Sequence, residues 1–166
     1  MNRWHSFLRA VVGLAAVGLV SGACGFHLQG RAPLPVDLAT TQVMAEDPQT
    51  DFVQGLRRAL IASGGKLTNR SDDATGTVRI QKDIVTQKIL SVSANNTPRE
   101  FELTYTVEFS VDGAGVELLP SQKVSVTRNY SFDETRLLAK ENEEAIIREG
   151  MARDLVAIVM RRLSSI

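Results

Sequence analysis

The sequence predicts an α+β fold, a two-layer sandwich with two helices packed on one face of a four-stranded mixed sheet that has long antiparallel strands. Three observations predict it. A short strand and a helix come first, three segments with strand patterning follow through the middle of the chain, and a long helical pattern closes it. A chain of this length can bury one good core, so residues 38–166 are predicted to form a single domain.

The first two elements are defined by signals at their ends. Thr41 to Ala45 predicts a short strand, and Asp47-Pro48 predicts a helix N-cap followed by proline at the first helical position. Gly64-Gly65 predicts the end of that helix. Between these signals, apolar and small residues recur at helical spacing: Phe52, Leu56, Ala59, Leu60 and Ser63.

The middle of the chain predicts an antiparallel meander. From Val78 to Val92 the apolar positions change face after Ile84, which predicts either a bulge or a strand covered on both sides. The next segment alternates between apolar and polar residues and therefore predicts a half-buried strand. Its apolar positions are Phe101, Leu103, Tyr105, Val107, Phe109 and Val111.

A third strand and a helix complete the prediction. The turn residues 112–115 lead into a strand from Val116 to Tyr130, with Val124, Val126, Arg128 and Tyr130 on one face. The helical period then resumes after Asp133 and predicts a long C-terminal helix. Its apolar stripe comprises Ile147, Met151, Leu155, Ile158 and Val159.

The N-terminus has the pattern of a signal peptide, predicted to span residues 1–23. Two arginines flank a short charged region, and an apolar run from Ala10 to Val20 follows. The run is shorter than the roughly 20 apolar residues that a membrane-spanning helix needs. Small residues at positions 21–23 supply a processing site. Residues 24–37 are then predicted to form a tether, because two prolines favour an extended path.

Cys24 is the one cysteine in the sequence, so no intramolecular disulfide can form even though the signal implies export. Its position resembles a bacterial lipobox, in which the thiol is acylated and becomes the mature N-terminus. Lipoboxes favour leucine three residues earlier, where this chain has Ser21. A free thiol in a secreted protein, or a cysteine lost within a longer signal, are the alternatives. With lipidation, Gly25 in place of aspartate favours an anchor on the periplasmic side of the outer membrane.

The composition excludes several functional classes. Residues 1–23 carry two arginines and no acidic residue, so their removal changes the net charge from zero to about −2, and no basic excess suggests nucleic-acid binding. His27 would be the one histidine left, which makes neither a catalytic triad nor a metal site. The carboxylates of Glu141, Glu143 and Glu144 lie on a polar helix face and predict a solvated surface. We therefore predict a binding or structural protein, not an enzyme, without cofactor or metal.

Two runs of the sequence resemble the LPS-assembly lipoprotein LptE family. Residues 24–30, Cys-Gly-Phe-His-Leu-Gln-Gly, are similar to the start of its mature members. Residues 138–143, Leu-Ala-Lys-Glu-Asn-Glu, are similar to a run between the family's last strand and last helix, and Arg128 also fits the spacing. The resemblance implies two helices on a four-stranded sheet. It also implies a plug inside the LptD β-barrel, as a heterodimer that assists barrel assembly and passage of lipopolysaccharide to the cell surface.

The resemblance also implies where lipopolysaccharide binds, because family members use basic side chains near the end of the sheet to meet lipid A phosphates. Lys140 matches such a position, and the alternative is a lysine that pairs with neighbouring carboxylates at the start of a helix. The second expected cation falls in the turn at residues 94–96, which here are Ala-Asn-Asn. Arg99 is the nearest substitute, or a solvated residue at a strand end. The candidates are therefore Lys140, Arg99 and Arg128.

Two alternative functions stay open beside the lipopolysaccharide-export plug. The first is a scaffold lipoprotein of another envelope assembly machine that shares only the anchor and a generic α+β fold. The second is a lipoprotein enzyme, against which the lack of a nucleophile and base counts. Copurification of a specific barrel protein would distinguish the plug from the scaffold.

Overall fold

The computed structural model describes residues 34–131 and 137–166, with side chains described from residue 143 onward in the last helix. Two helices and five strands account for most of these residues. In chain order they are β1 (Thr40–Met44), α1 (Asp51–Ala62), β2 (Lys66–Thr68), β3 (Gly76–Val92), β4 (Pro98–Gly113), β5 (Val116–Ser131) and α2 (Leu137–Leu163). Short 3-10 turns lie at Val36–Leu38 and Ser71–Asp73.

The sheet is mixed, in the order β2-β1-β3-β4-β5. β1 pairs in parallel with both β2 and β3, and the meander β3-β4-β5 is antiparallel. The α+β architecture is confirmed, but the strand count of four was too low by one. The extra strand, β2, has only three residues directly after Gly64-Gly65, and it shows no period that a sequence pattern could reveal.

Thr50, and not Asp47, caps the first helix. Its side-chain oxygen accepts a hydrogen bond from the Val53 amide at 3.2 Å, so α1 begins at Asp51. Asp47 instead accepts from the Gln49 amide at 2.8 Å and forms a turn of its own before the helix. Both residues are good caps, and the sequence prediction took the earlier one because a proline follows it.

The end of α1 is the predicted glycine stop. Gly64 has φ +90°, the left-handed conformation that glycine adopts without a steric penalty, and the Gly65 amide donates to the Leu60 carbonyl at 3.0 Å. The Lys66 amide then donates to the Ala39 carbonyl at 2.8 Å, which starts β2 beside β1.

The core lies between the helix layer and one face of the sheet. The apolar positions predicted for β4 are all buried, and so are Met151, Leu155 and Val159 of the α2 stripe. From α1 the core receives Phe52, Val53, Leu56 and Leu60. Leu38 is part of this core and Leu34 packs against it, so the tether predicted for residues 24–37 contacts the domain at Leu34.

β3 contains the predicted bulge, but the bulge comes earlier than expected. Ile80 pairs with Phe109 and Lys82 with Glu108, so the extra residue is Gln81. After it, Asp83, Val85 and Ile89 continue on the helix face of the sheet while Ile84 lies on the opposite face, because their β4 partners do so. The alternative of a strand covered on both sides is wrong for this half of β3, where Ile84 and Ile89 are exposed.

A polar network fixes the start of α1 to the sheet. The Thr50 hydroxyl donates to the Asp83 carboxylate, and the buried Tyr105 lies close enough to Asp83 for the carboxylate to act on its pKa. Burial, together with the neighbouring Asp83 carboxylate, raises the pKa of Tyr105 far above its ordinary value of 10.0. The folded state therefore favours the protonated phenol of Tyr105.

Stability is expected to fall at alkaline pH because of Tyr105. The unfolded chain releases the phenol proton near pH 10.0, whereas the native state holds it, so the contribution is present below pH 10.0 and is lost above it. One such group lowers the free energy of unfolding by up to about 1.4 kcal/mol per pH unit. Urea unfolding from pH 8 to 11 should show a smaller loss for Tyr105→Phe than for the unchanged protein. Parallel stability curves for the two proteins would contradict this.

Candidate functional site at the sheet tip

One end of the sheet brings together the turn between β3 and β4, the end of β5 and the first turns of α2. We call this end the sheet tip. Val92 pairs with Pro98 beside the turn, and Glu100 pairs with Ser131 at the last residue of β5. The turn itself is closed by the Ser93 amide, which donates to the Thr97 carbonyl at 2.7 Å, and by Asn96 at φ 61°.

Tyr130 joins α2 to the sheet at the tip. Its ring stacks on Phe101 with centroids 5.2 Å apart, its hydroxyl accepts from the Gln87 side chain at 2.6 Å and donates to Glu144 at 3.4 Å. Burial and then the Glu144 carboxylate raise the pKa of Tyr130. Glu144 also pairs with Arg148 at 3.7 Å. Its prediction as part of a solvated surface was therefore incomplete, because a partner on β5, outside the helix, cannot be read from helical spacing.

Arg99 lies at a bulge in the sheet tip. Glu100 pairs with Ser91 and Pro98 with Val92, so Arg99 is the extra residue of β4 at this step. It is exposed. A bulge redirects the side chain of its extra residue relative to a regular strand, so Arg99 is better placed at the tip than strand alternation alone would indicate.

Lys140 lies in the first turn of α2, one helical turn before Glu144. Its side chain is outside the described part of the structure. The backbone position is nevertheless informative, because the Glu144 contact with Tyr130 holds this end of α2 against the end of β5. Arg99 and the backbone of Lys140 are thus both at the tip. Cys24 and His27 lie outside the described residues.

Arg128 occupies a different position. It lies opposite Leu103, three residues before the end of β5, and its guanidinium donates to Asp154 of α2 at 2.6 Å. The side chains are 57% and 46% exposed, so this pair stays open to solvent. Together with Ile147 and Arg153, they line an open cleft of about 340 Å³. The structure therefore separates Arg128 from the tip by roughly 10 Å of strand.

The sheet face opposite the helices carries a second candidate surface, which we call the outer face. Its side chains hydrogen bond to one another across the strands: Thr104 with Thr127 at 3.2 Å, Gln81 with Ser110 at 3.2 Å, and Ser121 with Glu108 at 3.2 Å. No described helix packs on this face. It is an ordered polar surface that the alternation of β4 predicted.

Among the described side chains, those of residues 34–131 and 143–166, no three of His, Cys, Asp or Glu are grouped so as to hold a metal ion. In the same described ranges, no helix has the length and apolarity needed to cross a bilayer.

Residues 38–163, which include every strand and helix described above, match the family model LptE: Lipopolysaccharide-assembly. The chain belongs to the LptE family. This is a family of non-enzymatic lipoproteins of lipopolysaccharide assembly, so the predicted family, and the prediction that the protein is not an enzyme, are confirmed.

The relatives agree with the family. The LPS-assembly lipoprotein LptE of Pectobacterium atrosepticum is 28% identical over 98% of this chain and 87% of its own length. That of Yersinia pestis is 28% identical over 98% of this chain and 77% of its own. The solution NMR structure of an uncharacterized lipoprotein B from Nitrosomonas europaea is 28% identical, with TM-score 0.69 over 85% of this chain and 91% of that one. Rare lipoprotein B from Shewanella oneidensis has the same fold, with TM-score 0.66 and 23% identity over 76% of this chain and 94% of that one.

Proposed function

We propose that this LptE family member plugs an LptD-like β-barrel as its heterodimeric partner, helps that barrel to assemble, and takes part in lipopolysaccharide transport to the cell surface. The observation that carries the proposal is the family match over the entire described domain. The geometry adds two surfaces that suit these tasks, the outer face and the sheet tip.

The outer face suits contact with the inside of a barrel. Barrel interiors are polar, and a plug needs a polar surface whose shape is already fixed before it docks. The Thr, Ser, Gln and Glu side chains of the outer face hold one another in place through hydrogen bonds, so little side-chain freedom is lost on binding.

The sheet tip suits lipid A phosphates. Arg99 and Lys140 would each give charge-assisted hydrogen bonds to a phosphate. Lys140 lies in the first turn of α2, where the positive end of the helix dipole attracts anions and disfavours the charge of the lysine. A phosphate bound there would be stabilised by the dipole and would also neutralise the charge of Lys140. Arg128 is the weaker candidate, because Asp154 already occupies its guanidinium.

The domain organisation completes the proposal. Residues 1–23 would be removed as a signal peptide, acyl chains on Cys24 would anchor the protein to the periplasmic side of the outer membrane, and residues 24–37 would link the anchor to the domain of residues 38–166. Several acyl chains on one residue anchor stably, whereas a single chain gives only marginal binding.

Affinity purification of the full-length protein from detergent-solubilised outer membranes tests the proposal. We expect stoichiometric recovery of an LptD-like barrel, and mass spectrometry should find an acylated N-terminal Cys24 peptide. Recovery with a different envelope machine, with Cys24 still acylated, would replace the plug by a scaffold role. An unmodified Cys24 would contradict the proposal of a lipid anchor at this residue.

Arg128 is expected to contribute little to stability. Its pair with Asp154 is solvent-exposed, and such pairs are worth about 1 kcal/mol or less. If Arg128 contacts lipopolysaccharide, Asp154→Asn should strengthen binding, because it frees the guanidinium without removing it. Lipopolysaccharide titration of Asp154→Asn and Arg128→Gln, with urea unfolding of both, separates the roles. Equal lipopolysaccharide affinity of the two variants would mean that Arg128 forms the ion pair with Asp154 but does not contact lipopolysaccharide.

A further inference from the structure

β3 has an edge that lacks a strand partner in the described chain. β1 accompanies β3 only from Gly76 to Arg79. The loop after β1 lies beside the next residues, because Ala45, Thr50 and Ile80–Ile84 line a common cavity of about 250 Å³. From Val85 to Val92, β3 is paired on its β4 side only. We call Val85–Val92 the open edge.

The open edge has the geometry of a template for another strand. From Lys82 to Ile89 its register against β4 runs without a shift, so the outward backbone N–H and C=O groups of Val85–Ile89 are regularly spaced, and two register shifts follow between Ile89 and Val92. Ile89, Leu90 and Val92 are 51%, 42% and 53% exposed. Natural proteins rarely leave a strand edge with several exposed apolar residues uncovered, because it pairs readily with other chains.

The other long edge of the sheet, β5, is protected. Pro120 has no N–H to offer a further strand, and Lys123 and Arg128 place charges along the strand. Within the described part of β5, Val116 is the one large apolar residue among the exposed ones, and it lies at the turn. The open edge of β3 has no proline, one charged residue (Lys88) and three exposed apolar residues, and this contrast with β5 indicates that it is kept free for a partner.

We propose that the open edge binds an extended segment of a partner protein as an added β-strand, with apolar residues on one face and acidic residues on the other. Backbone hydrogen bonds would supply affinity, and alternate side chains would supply specificity. On the outer face, Lys88 lies opposite Glu102, and an acidic residue of the added strand would flank Lys88 from its other side. A second copy of this chain fits less well, because antiparallel self-pairing centred on the open edge sets Lys88 opposite or beside Lys88 of the copy.

Hydrogen exchange with a synthetic peptide tests the proposal on the full-length protein in detergent. The peptide has about eight residues, the length of an average strand or slightly more, and alternates valine with glutamate. We expect it to slow exchange of the outward-pointing amides of Val85–Val92 by about tenfold or more, which corresponds to protection by about 1.4 kcal/mol. A peptide with lysine in place of glutamate should bind more weakly, and one N-methylated on its pairing edge should give no protection.

Two variants complete the experiment. Ile89→Lys with Val92→Lys alters exposed positions of the open edge and should abolish the protection, whereas Val116→Lys on β5 should leave it unchanged. Circular dichroism checks that both remain folded. Three outcomes would overturn the proposal that a partner strand binds here. The amides of the open edge could already exchange slowly in the protein alone, or be protected only when the protein forms a dimer. They could also be protected by lipopolysaccharide micelles but not by the peptide. Each of these outcomes is independent of whether an LptD-like barrel copurifies.

Discussion

Gly76→Ala is expected to lower the free energy of unfolding by about 3 kcal/mol or more, among the largest effects of a single methyl group in a small domain. Gly76 lies where β3 meets both β1 and β4, paired with Thr41 and Gly113. An added Cβ would overlap the Asp37 carbonyl oxygen and approach the Asp112 carbonyl oxygen to 3.2 Å. Both neighbours are backbone, so relief requires a shift of the turn before β1 or of β4.

Gly150→Ala provides the matched control. Gly150 is in α2, and the nearest atom to an added Cβ is the Arg153 guanidinium at 3.7 Å. Because alanine favours a helix over glycine by about 0.5–1 kcal/mol, this change should stabilise the protein. Thermal and urea unfolding of the two variants should thus move in opposite directions. A Gly76→Ala protein within about 1 kcal/mol of the unchanged one would show that the junction is not tightly packed.

Arg99→Glu with Lys140→Glu is expected to weaken lipopolysaccharide binding by at least about tenfold without unfolding the domain. Each change replaces a cation facing a phosphate by an anion, and one lost charge-assisted hydrogen bond alone is worth about 1.5–3 kcal/mol. Arg99 is exposed, and Lys140 lies in the first turn of a helix, where glutamate is compatible with the helix dipole. Titration with purified lipopolysaccharide measures the effect.

Lys66→Glu with Arg58→Glu is the control for net charge. Both residues are exposed, on β2 and α1, and the substitutions change the charge by the same amount as those at the tip. If binding depends on the tip, the control keeps its affinity. Equal weakening in both double variants would mean that only the overall charge matters, and unchanged binding of the folded tip variant would remove Arg99 and Lys140 from the site.

The predictable part of this fold is the part in which one face of an element is buried. β4 alternates because its odd positions face the helices, and the stripe from Ile147 to Val159 repeats because one side of α2 contacts the sheet. β2 carried no such signal, since three residues cannot display a period. The true cap of α1 was missed because Asp47 is followed by a proline, and the contact that favours Thr50 instead, its hydrogen bond to Asp83 over 33 residues, is not encoded in local spacing.

In the candidate site, too, some residues could be predicted from the sequence, whereas the contacts of others depend on long-range packing. The family resemblance selected Lys140, and Arg99 as the nearest substitute for a second family cation, and both positions are at the sheet tip. It also selected Arg128, whose partner Asp154 comes from α2 and could not be known without the packing of that helix. Tyr130 was assigned to the correct face, but its role in holding Glu144 depends on long-range contacts to Gln87 and α2.

The parallel position of β1 bears on how the domain folds. β3, β4 and β5 are joined by short turns, so each can pair as soon as its neighbour along the chain is present, and Ala114 and Gly115 have the positive φ of a tight hairpin. β1 cannot reach β3 until α1 and β2 have been traversed, a loop whose closure costs entropy before any contact offsets it. We therefore expect the hairpins to form first and β1 to join last, which leaves the edge of β3 exposed for longest while the chain is folding.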